Sequence, residues 1–204
     1  NFYGSGYYFY DLNTKVNYRF SDKDRIYLSG YFGRDVFTFN NAKRAFEADV
    51  PWGNATATLR WNHIFNPKLF ANTTLVYNDY NFSFGAAQND FSLKLSSGIR
   101  DWNAKLDFDY YPAADHKVKF GGLYTYHTFV PNILTGQQGE TRFEPNNENS
   151  KYAREMAAYI QDEWNISDRL NINAGLRYSS FTQVGRHTIY TRDINGNKID
   201  SSVY

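Results

Sequence analysis

The sequence predicts an all-β protein: an antiparallel, up-and-down transmembrane β-barrel segment of about eight strands from a larger barrel. Three observations lead to this prediction. Apolar and polar residues alternate with period two over long stretches, short polar breaks separate those stretches, and aromatic residues make up 19% of the 204 residues although the mean hydropathy is −0.65. Period-two alternation places apolar and polar side chains on opposite faces of a strand. No run approaches the ~18 consecutive apolar residues of a helical membrane span.

The first stretch, Tyr8 to Phe20, shows the alternation most clearly. One parity is mainly apolar or aromatic and consists of Tyr8, Tyr10, Leu12, Thr14, Val16, Tyr18 and Phe20. The other parity is mainly polar and consists of Phe9, Asp11, Asn13, Lys15, Asn17 and Arg19. A strand over this stretch therefore has one apolar face and one charged face.

Seven further strands follow along the chain. Clean alternation predicts strands at 55–62, 102–110, 117–127 and 170–178. Less regular alternation predicts strands at 25–39, 69–84 and 151–165. These stretches are longer than the ~5–6 residues typical of soluble strands. A strand needs about 9–11 residues to cross a membrane, so strands of this kind can cross one.

The breaks between strands are alternately short and long. The short breaks are rich in Asn, Asp, Ser and Pro, the residues of tight turns, and lie at 21–24, 66–68, 112–116 and 167–169. The longer segments are predicted as loops and lie at 40–52, 85–90, 131–150 and 182–204. Within the last of these, Asn195-Gly196 is predicted to be the turn of a hairpin.

Alternation alone fits both a soluble sandwich and a membrane barrel, but three features favour the barrel. Aromatic residues such as Trp61 and Trp164 cluster beside the short turns, where an interfacial girdle is expected. Apolar positions in mid-strand are often small, as at Ala57 and Ala104. Short turns at one end and long loops at the other are typical of outer-membrane barrels. Eight strands could close a small barrel, but the polar tail 196–204 does not resemble a closing strand, which favours part of a larger barrel.

Composition excludes several classes of function. The chain has no Cys, so disulfides, thiol catalysis and Cys-ligated metals are excluded. The 22 Lys and Arg balance 21 Asp and Glu, which gives no reason to expect a nucleic-acid partner. The four histidines show no metal-ligand spacing, and no nucleophile or phosphate-binding motif is present, so no catalytic residue, metal site or cofactor is predicted.

Several local sequences resemble the barrel of TonB-dependent outer-membrane transporters, in particular members from Bacteroidetes. The most characteristic is YIQDEWNISDRL at 159–170, which runs into NAGLRY at 173–178. SGIRDW at 97–102 and HKVKFG at 116–121 resemble the preceding hairpins of the same family. The resemblance covers about residues 90–180 closely and the rest in pattern.

The resemblance implies that residues 1–204 belong to one domain, part of a 22-stranded barrel whose plug lies outside this chain. It implies energy-coupled uptake of a scarce, bulky nutrient (a siderophore, haem, cobalamin or a glycan) across the outer membrane of a Gram-negative bacterium. The implied partners are outer-membrane lipid, a TonB-type coupling protein and, in some cases, a surface lipoprotein. A passive porin and a structural or secretion-associated barrel are the alternative functions.

Ligand contacts in such a barrel are expected from the loops and the outer part of the lumen wall. The candidate ligand-binding residues are large or cationic, and they are Arg34, Phe46, Trp52, Arg142 and Phe143. Four of them are predicted to lie in loops, and Arg34 is predicted to lie on the outer half of a strand.

Overall fold

The computed structural model describes residues 4–143, 150–185, 188–192 and 198–203. Eight long strands run through it: β1 Ser5–Arg19, β2 Asp24–Asn41, β3 Phe46–Asn66, β4 Leu69–Gln88, β5 Phe91–Tyr110, β6 His116–Gln138, β8 Lys151–Ser167 and β9 Leu170–Val184. Three short strands complete the described chain: β7 Thr141–Phe143, β10 Thr188–Arg192 and β11 Lys198–Val203.

The eight long strands form one antiparallel meander in chain order, with β1 and β9 at its edges and β7 paired to β6. The predicted all-β, up-and-down architecture is therefore confirmed. Strands β10 and β11 form a separate two-stranded hairpin. This pairing confirms the predicted hairpin in the tail, although its predicted turn at Asn195-Gly196 lies outside the described residues.

The segments predicted as long loops are mostly strand. Strand β3 begins at Phe46 and β4 continues to Gln88, so the connections there are residues 42–45 and a two-residue turn at 89–90. Strand β6 likewise continues to Gln138. The prediction of loops over 40–52, 85–90 and much of 131–150 was therefore wrong. The strands pair well beyond the regular alternation because backbone hydrogen bonding does not depend on which side chains face outward.

Helical structure is minimal in the described residues. A single turn of 3₁₀ helix, Ala42–Arg44, connects β2 to β3 and ends at Ala45, whose φ of 44° lies in the left-handed region. Among the residues that the structure describes, no helix is long and apolar enough to cross a membrane.

The strand register divides the sheet into two faces, because directly opposed residues of antiparallel strands point to the same side. We name them the Leu106 face and the Lys105 face after two neighbours in β5. The Leu106 face carries the even-numbered residues of β1, β2, β5, β8, β9 and β6 up to Val130, and the odd-numbered residues of β3 and β4. The Lys105 face carries the residues of the other parity. A β-bulge in each of β3, β6 and β8 shifts the pairing by one residue, so beyond the bulge the parity of that strand is exchanged between the two faces.

The two ends of the sheet also need names. The turn end is where β1 meets β2, at residues 20–23, and the loop end is where β2 meets β3, at residues 42–45. The half of each strand nearer the turn end is its turn half, and the other is its loop half.

Within the described residues, no second sheet covers the apolar side chains of the Leu106 face. Leu12 is 64% exposed, Leu106 is 41% exposed and Leu176 is 76% exposed. Among the described residues no large side chain is fully buried, and the buried apolar residues are Val36, Ala71, Ala153 and Ala157. The sheet therefore lacks a hydrophobic core of its own, and its apolar side chains need a non-aqueous surrounding.

Candidate functional site

Apolar residues of the Leu106 face form a band across the turn halves of the strands. One row of directly opposed residues, Tyr77, Trp102 and Tyr126, marks its margin towards the loop end. In β5 the band runs from Trp102 to Tyr110, which at about 3.3 Å per residue and a tilt of about 40° spans roughly 20 Å along a barrel axis. That height approaches the ~25 Å apolar band of outer-membrane barrels.

Aromatic and histidine side chains mark the margin of the band at the turn end. The ring of His116 stacks on Trp164 with centroids 5.2 Å apart, and its Nδ1 lies 2.7 Å from an Asp162 carboxylate oxygen. The Nδ1 of His63 lies 2.6 Å from Asp24 in the same way. These two histidines are held by carboxylates in an aromatic rim.

The Lys105 face is polar and networked over the same turn halves. The Lys105 ammonium lies 3.0 Å from Asp107, and Asp107 also accepts a hydrogen bond from Tyr159. The Lys119 ammonium lies 3.7 Å from Asp109. Interleaved charges of this kind suit a water-filled interior.

The polarity of the two faces reverses in the loop halves. On the Leu106 face the row next to Tyr77 and Trp102 contains Asp79 and Arg100, whose side chains form an ion pair at 3.1 Å. Further charged residues follow on this face towards the loop end, namely Arg34, Asp49 and Lys94. A charged outer face beyond the apolar band is expected where the strands leave the membrane and meet water.

The Lys105 face becomes aromatic and apolar in the same loop halves. Its large residues there are Tyr7, Phe9, Phe37, Trp52, Tyr80, Phe82, Phe84, Ile99 and Phe129, which we call the aromatic wall. Many of them are open to solvent, with Tyr7 56% exposed and Phe9 65% exposed. Lipid cannot cover this wall, because it lies on the opposite side of the sheet from the apolar band.

Three of the predicted site residues contribute to this side of the sheet. Trp52 is in the aromatic wall, and Phe46 lies on the same face near the end of the sheet. Phe143 is opposite Gly136 and shares the parity of the Lys105 face. All three lie in strands β3 and β7, so their predicted placement in loops was wrong. The structure leaves their role in ligand binding as a prediction.

The two predicted arginines lie on the other side. Arg34 is opposite Tyr10 and Gly53 on the Leu106 face, where it borders a depression of about 290 Å³. Arg142 lies in β7 opposite Gln137, with the parity opposite to that of Phe143. Neither arginine therefore shares the face of Trp52, and a ligand on the aromatic wall would not meet them on that face.

Sequence reasoning missed most of the aromatic wall. Phe9 was assigned to the polar parity and Phe82 to a stretch of irregular alternation, although a signal for them exists. In β2 the apolar parity changes from even at Leu28 to odd at Phe37, and this change made the alternation look irregular. A deliberate search for parity reversal within long strands would have found the wall.

The His, Asp and Glu side chains of the described residues contact one another mainly in pairs. No group of three or more His, Asp and Glu side chains in those residues is placed to hold a metal ion. His127 is paired with Asp101 at 2.8 Å and stacks on Phe129, so it belongs to the polar lining of the Lys105 face. His187 lies outside the described residues.

A single sheet of strands of 15 to 23 residues, with an exposed apolar band on one face and a networked polar face behind it, defines the wall of a membrane β-barrel. The family model described as "TonB dependent receptor-like, beta-barrel" matches residues 1–203, and the chain belongs to this family. None of the curated protein sequences matches significantly.

The fold is also similar to that of a solved receptor. The crystal structure of BauA, the ferric preacinetobactin receptor from Acinetobacter baumannii, superposes with a TM-score of 0.62 at 10% sequence identity. The match covers 88% of this chain and 34% of BauA, so the chain spans about a third of the length of that receptor. At this level of identity the similarity establishes a shared fold.

Proposed function

We propose that the chain forms part of the barrel wall of a TonB-dependent receptor that takes up a scarce, bulky nutrient across the outer membrane of a Gram-negative bacterium. The observation that carries the proposal is the family match over residues 1–203. The reversal of polarity along both faces of the sheet supports the proposal. The turn halves suit a membrane, and the loop halves present an open aromatic wall on the lumen side.

In this proposal the Leu106 face contacts outer-membrane lipid and the Lys105 face looks into the barrel. The network around Lys105, Asp107 and Tyr159 would contact a plug or water. The aromatic wall, together with Phe46 and Phe143, would contact the nutrient. A TonB-type coupling protein would act through a plug encoded elsewhere in the full-length receptor, and a surface lipoprotein is a further candidate partner.

The test is nutrient uptake by cells that express the full-length receptor. We expect uptake of its nutrient to stop when the TonB-type protein is deleted or when a protonophore collapses the proton gradient. Uptake that continues at the same rate without energy would contradict the proposal and favour a passive porin. Cells whose nutrient uptake does not change on deletion of the receptor would favour a structural or secretion-associated barrel.

A further inference from the structure

The lumen side of β1, β2 and β3 carries an excess of positive charge at the turn end. In the turn halves of these strands the Lys105 face contains cations and no carboxylate. The cations are Lys15, Arg19, Arg25 and Arg60, which we call the cationic patch. On the same face of the next strand, β4, the stretch from Phe70 to Asn78 has no ionised side chain. The neighbouring strand therefore does not offset the charge of the cationic patch.

Two cations of the patch are placed directly against each other. Arg19 of β1 is the cross-strand neighbour of Arg25 of β2, and like charges in this position are destabilising. The Arg19 guanidinium contacts Asp22 in the turn at 2.5 Å, but the Asp22 side chain is 96% exposed, so this ion pair compensates little. The opposition of the two arginines is therefore a cost that persists unless another group supplies negative charge.

The remaining contacts of the cationic patch are with neutral groups. Arg25 donates to the Tyr27 hydroxyl at 3.3 Å, and Arg60 donates to Thr74 Oγ1 at 3.3 Å. Within the described part of the chain, no carboxylate forms an ion pair with Lys15, Arg25 or Arg60. All three side chains are exposed on the lumen side, where a partner can reach them.

Strands β5 and β6 show that this imbalance is local. On their Lys105 face, Lys105 is paired with Asp107 at 3.0 Å and Lys119 with Asp109 at 3.7 Å. These cations are neutralised within the sheet itself. The cationic patch differs, because its charges are left for another molecule or for salt ions.

The cationic patch borders a depression of about 310 Å³ at the turn end. The cationic residues that line it are Arg19, Lys23 and Arg25. Asp22 also lines the depression, but it already contacts Arg19. Asp24 lines it too, but its carboxylate accepts hydrogen bonds from Ser21 and Trp61. A further carboxylate that enters from the lumen would therefore meet positive charge.

A resident acidic partner would remove the imbalance. We propose that the cationic patch docks a carboxylate-bearing surface of the plug and holds it against β1, β2 and β3 at the turn end. The repulsion between Arg19 and Arg25 is present in the resting receptor, so a partner that stays in the barrel offsets it better than a nutrient that passes through. This inference rests on the proposed function, and it specifies where the plug is held and by which charge.

A nutrient on the aromatic wall would not compensate the cationic patch. The nearest wall residue of β1 is Phe9, six residues from Lys15, which at ~3.3 Å per residue is a separation of about 20 Å. Exposed charges that far apart are largely screened by salt. The cationic patch and the aromatic wall are therefore separate surfaces with separate partners.

The first experiment identifies what contacts the cationic patch in the full-length receptor. Tyr27, which lies opposite Arg60 on the Lys105 face, is replaced by photoreactive benzoylphenylalanine. Cells are irradiated, and crosslinked peptides are identified by mass spectrometry. We expect crosslinks to a plug peptide with a net negative charge. The matched control is the same replacement at Leu28, the next residue and on the opposite face, which should give no crosslink to the plug.

The second experiment reverses the charge of the cationic patch. The double variant Arg25→Glu and Arg60→Glu should lower the crosslink yield from position 27 at least about twofold, the smallest change expected when two exposed ion pairs are lost. Changing the crosslinked plug carboxylates to Lys in the same protein should restore the yield, which separates a lost contact from a misfolded barrel. Lys119→Gln, at a cation already paired with Asp109, should leave the yield unchanged.

The outcomes separate this inference from the proposed function. Crosslinks only to plug peptides without a net negative charge overturn the inference, and so does a yield that charge reversal leaves unchanged. Absence of any crosslink to the plug overturns it as well, because the cationic patch would then face only water and salt ions. If the reversed variant fails to assemble, the crosslinks from position 27 in the otherwise unchanged receptor decide. Energy-dependent uptake by the unmodified receptor would leave the proposed function intact in each of these cases.

Discussion

Leu106 and Lys105 are neighbours in the turn half of β5 and point to opposite sides of the sheet. Leu106 lies inside the apolar band, two rows from Trp102 towards the turn end, and is 41% exposed with no protein layer over it. We expect Leu106→Arg to cost about 2–4 kcal/mol near the bilayer midplane, because a guanidinium there leaves water for hydrocarbon. The measurement is the free energy of unfolding of the full-length barrel from lipid vesicles, together with its yield in outer-membrane fractions.

The matched control for this change is Lys105→Ala. Its ammonium is half-exposed in its 3.0 Å contact with Asp107, so its loss should cost under about 1 kcal/mol. If the two variants assembled equally well and had equal stability, the assignment of the Leu106 face to lipid would be wrong.

Gly121 and Gly122 offer a second comparison between adjacent residues on opposite faces of β6. A Cβ at Gly121 would overlap the Leu106 carbonyl oxygen and would lie 3.1 Å from the Tyr159 ring. A Cβ at Gly122 would meet nothing closer than the Ala157 carbonyl oxygen, at 3.5 Å. We expect Gly121→Ala to destabilise the barrel by about 1–3 kcal/mol and Gly122→Ala to have a much smaller effect.

Urea titration of both variants in vesicles, followed by tryptophan fluorescence, measures this difference. An unfolding midpoint for Gly121→Ala equal to that of Gly122→Ala would show that β5 and β6 are further apart at this position than the structure indicates.

At the scale of the element, strand β5 contains both polarity patterns in one uninterrupted ladder. From Tyr110 to Trp102 its Leu106 face is apolar, and from Arg100 towards Phe91 the same face is charged or small. We expect a single cysteine placed at Ala104 to resist a water-soluble maleimide, and a single cysteine at Arg100 or Lys94 to react with it. Lipid should block the first site, while the other two lie beyond the band.

This chain has no native cysteine, so any label within it reports on the introduced site alone. The first measurement is maleimide labelling of intact cells that express the full-length receptor. The second is quenching by nitroxide-labelled lipid at Ala104. Equal aqueous labelling at Ala104 and Lys94 would contradict the boundary at Trp102.

The reversal of polarity along single strands also explains which parts of the fold could be predicted from the sequence. Stretches such as Tyr8–Phe20, in which one parity is mainly apolar, gave correct strands. Strands β2 and β4, in which the parity reverses, were predicted at nearly their full length but appeared irregular, whereas the beginning of β3 and the end of β6 were taken for loops. Alternation reports the surroundings of side chains, whereas strand length follows from backbone pairing, so a change of surroundings along one strand looked like its end.

The candidate site was predicted less well than the fold for a related reason. Trp52 and Phe46 were chosen for their size, and the structure places both on the lumen side. Arg34 was chosen for its charge, but the face on which a residue lies depends on register with its neighbours, which one strand's sequence does not show. Tyr7 and Asp35 come together only through the pairing of β1 with β2.

At the scale of the whole molecule, the sheet is open in the described residues, and β1 and β9 form its two edges. The outer edges of these two strands present unpaired backbone N–H and C=O groups. In hydrocarbon each unpaired group costs several kcal/mol of free energy. Eight strands could in principle bring these edges together in a small barrel. Such closure would turn the aromatic wall and the charged lining into a narrow, filled interior.

We therefore expect residues 1–204, refolded alone in detergent micelles, to form oligomers or aggregates through their edges. The full-length receptor should instead yield a monodisperse barrel whose electrophoretic mobility changes on heating. Light scattering coupled to size-exclusion chromatography distinguishes the two results. Cysteines at Leu12 in β1 and Leu176 in β9, which share the Leu106 face, test closure directly. A monomeric, heat-modifiable species with a disulfide between these edges would show that eight strands suffice for a barrel, and the wall would then be too confined to admit a bulky nutrient.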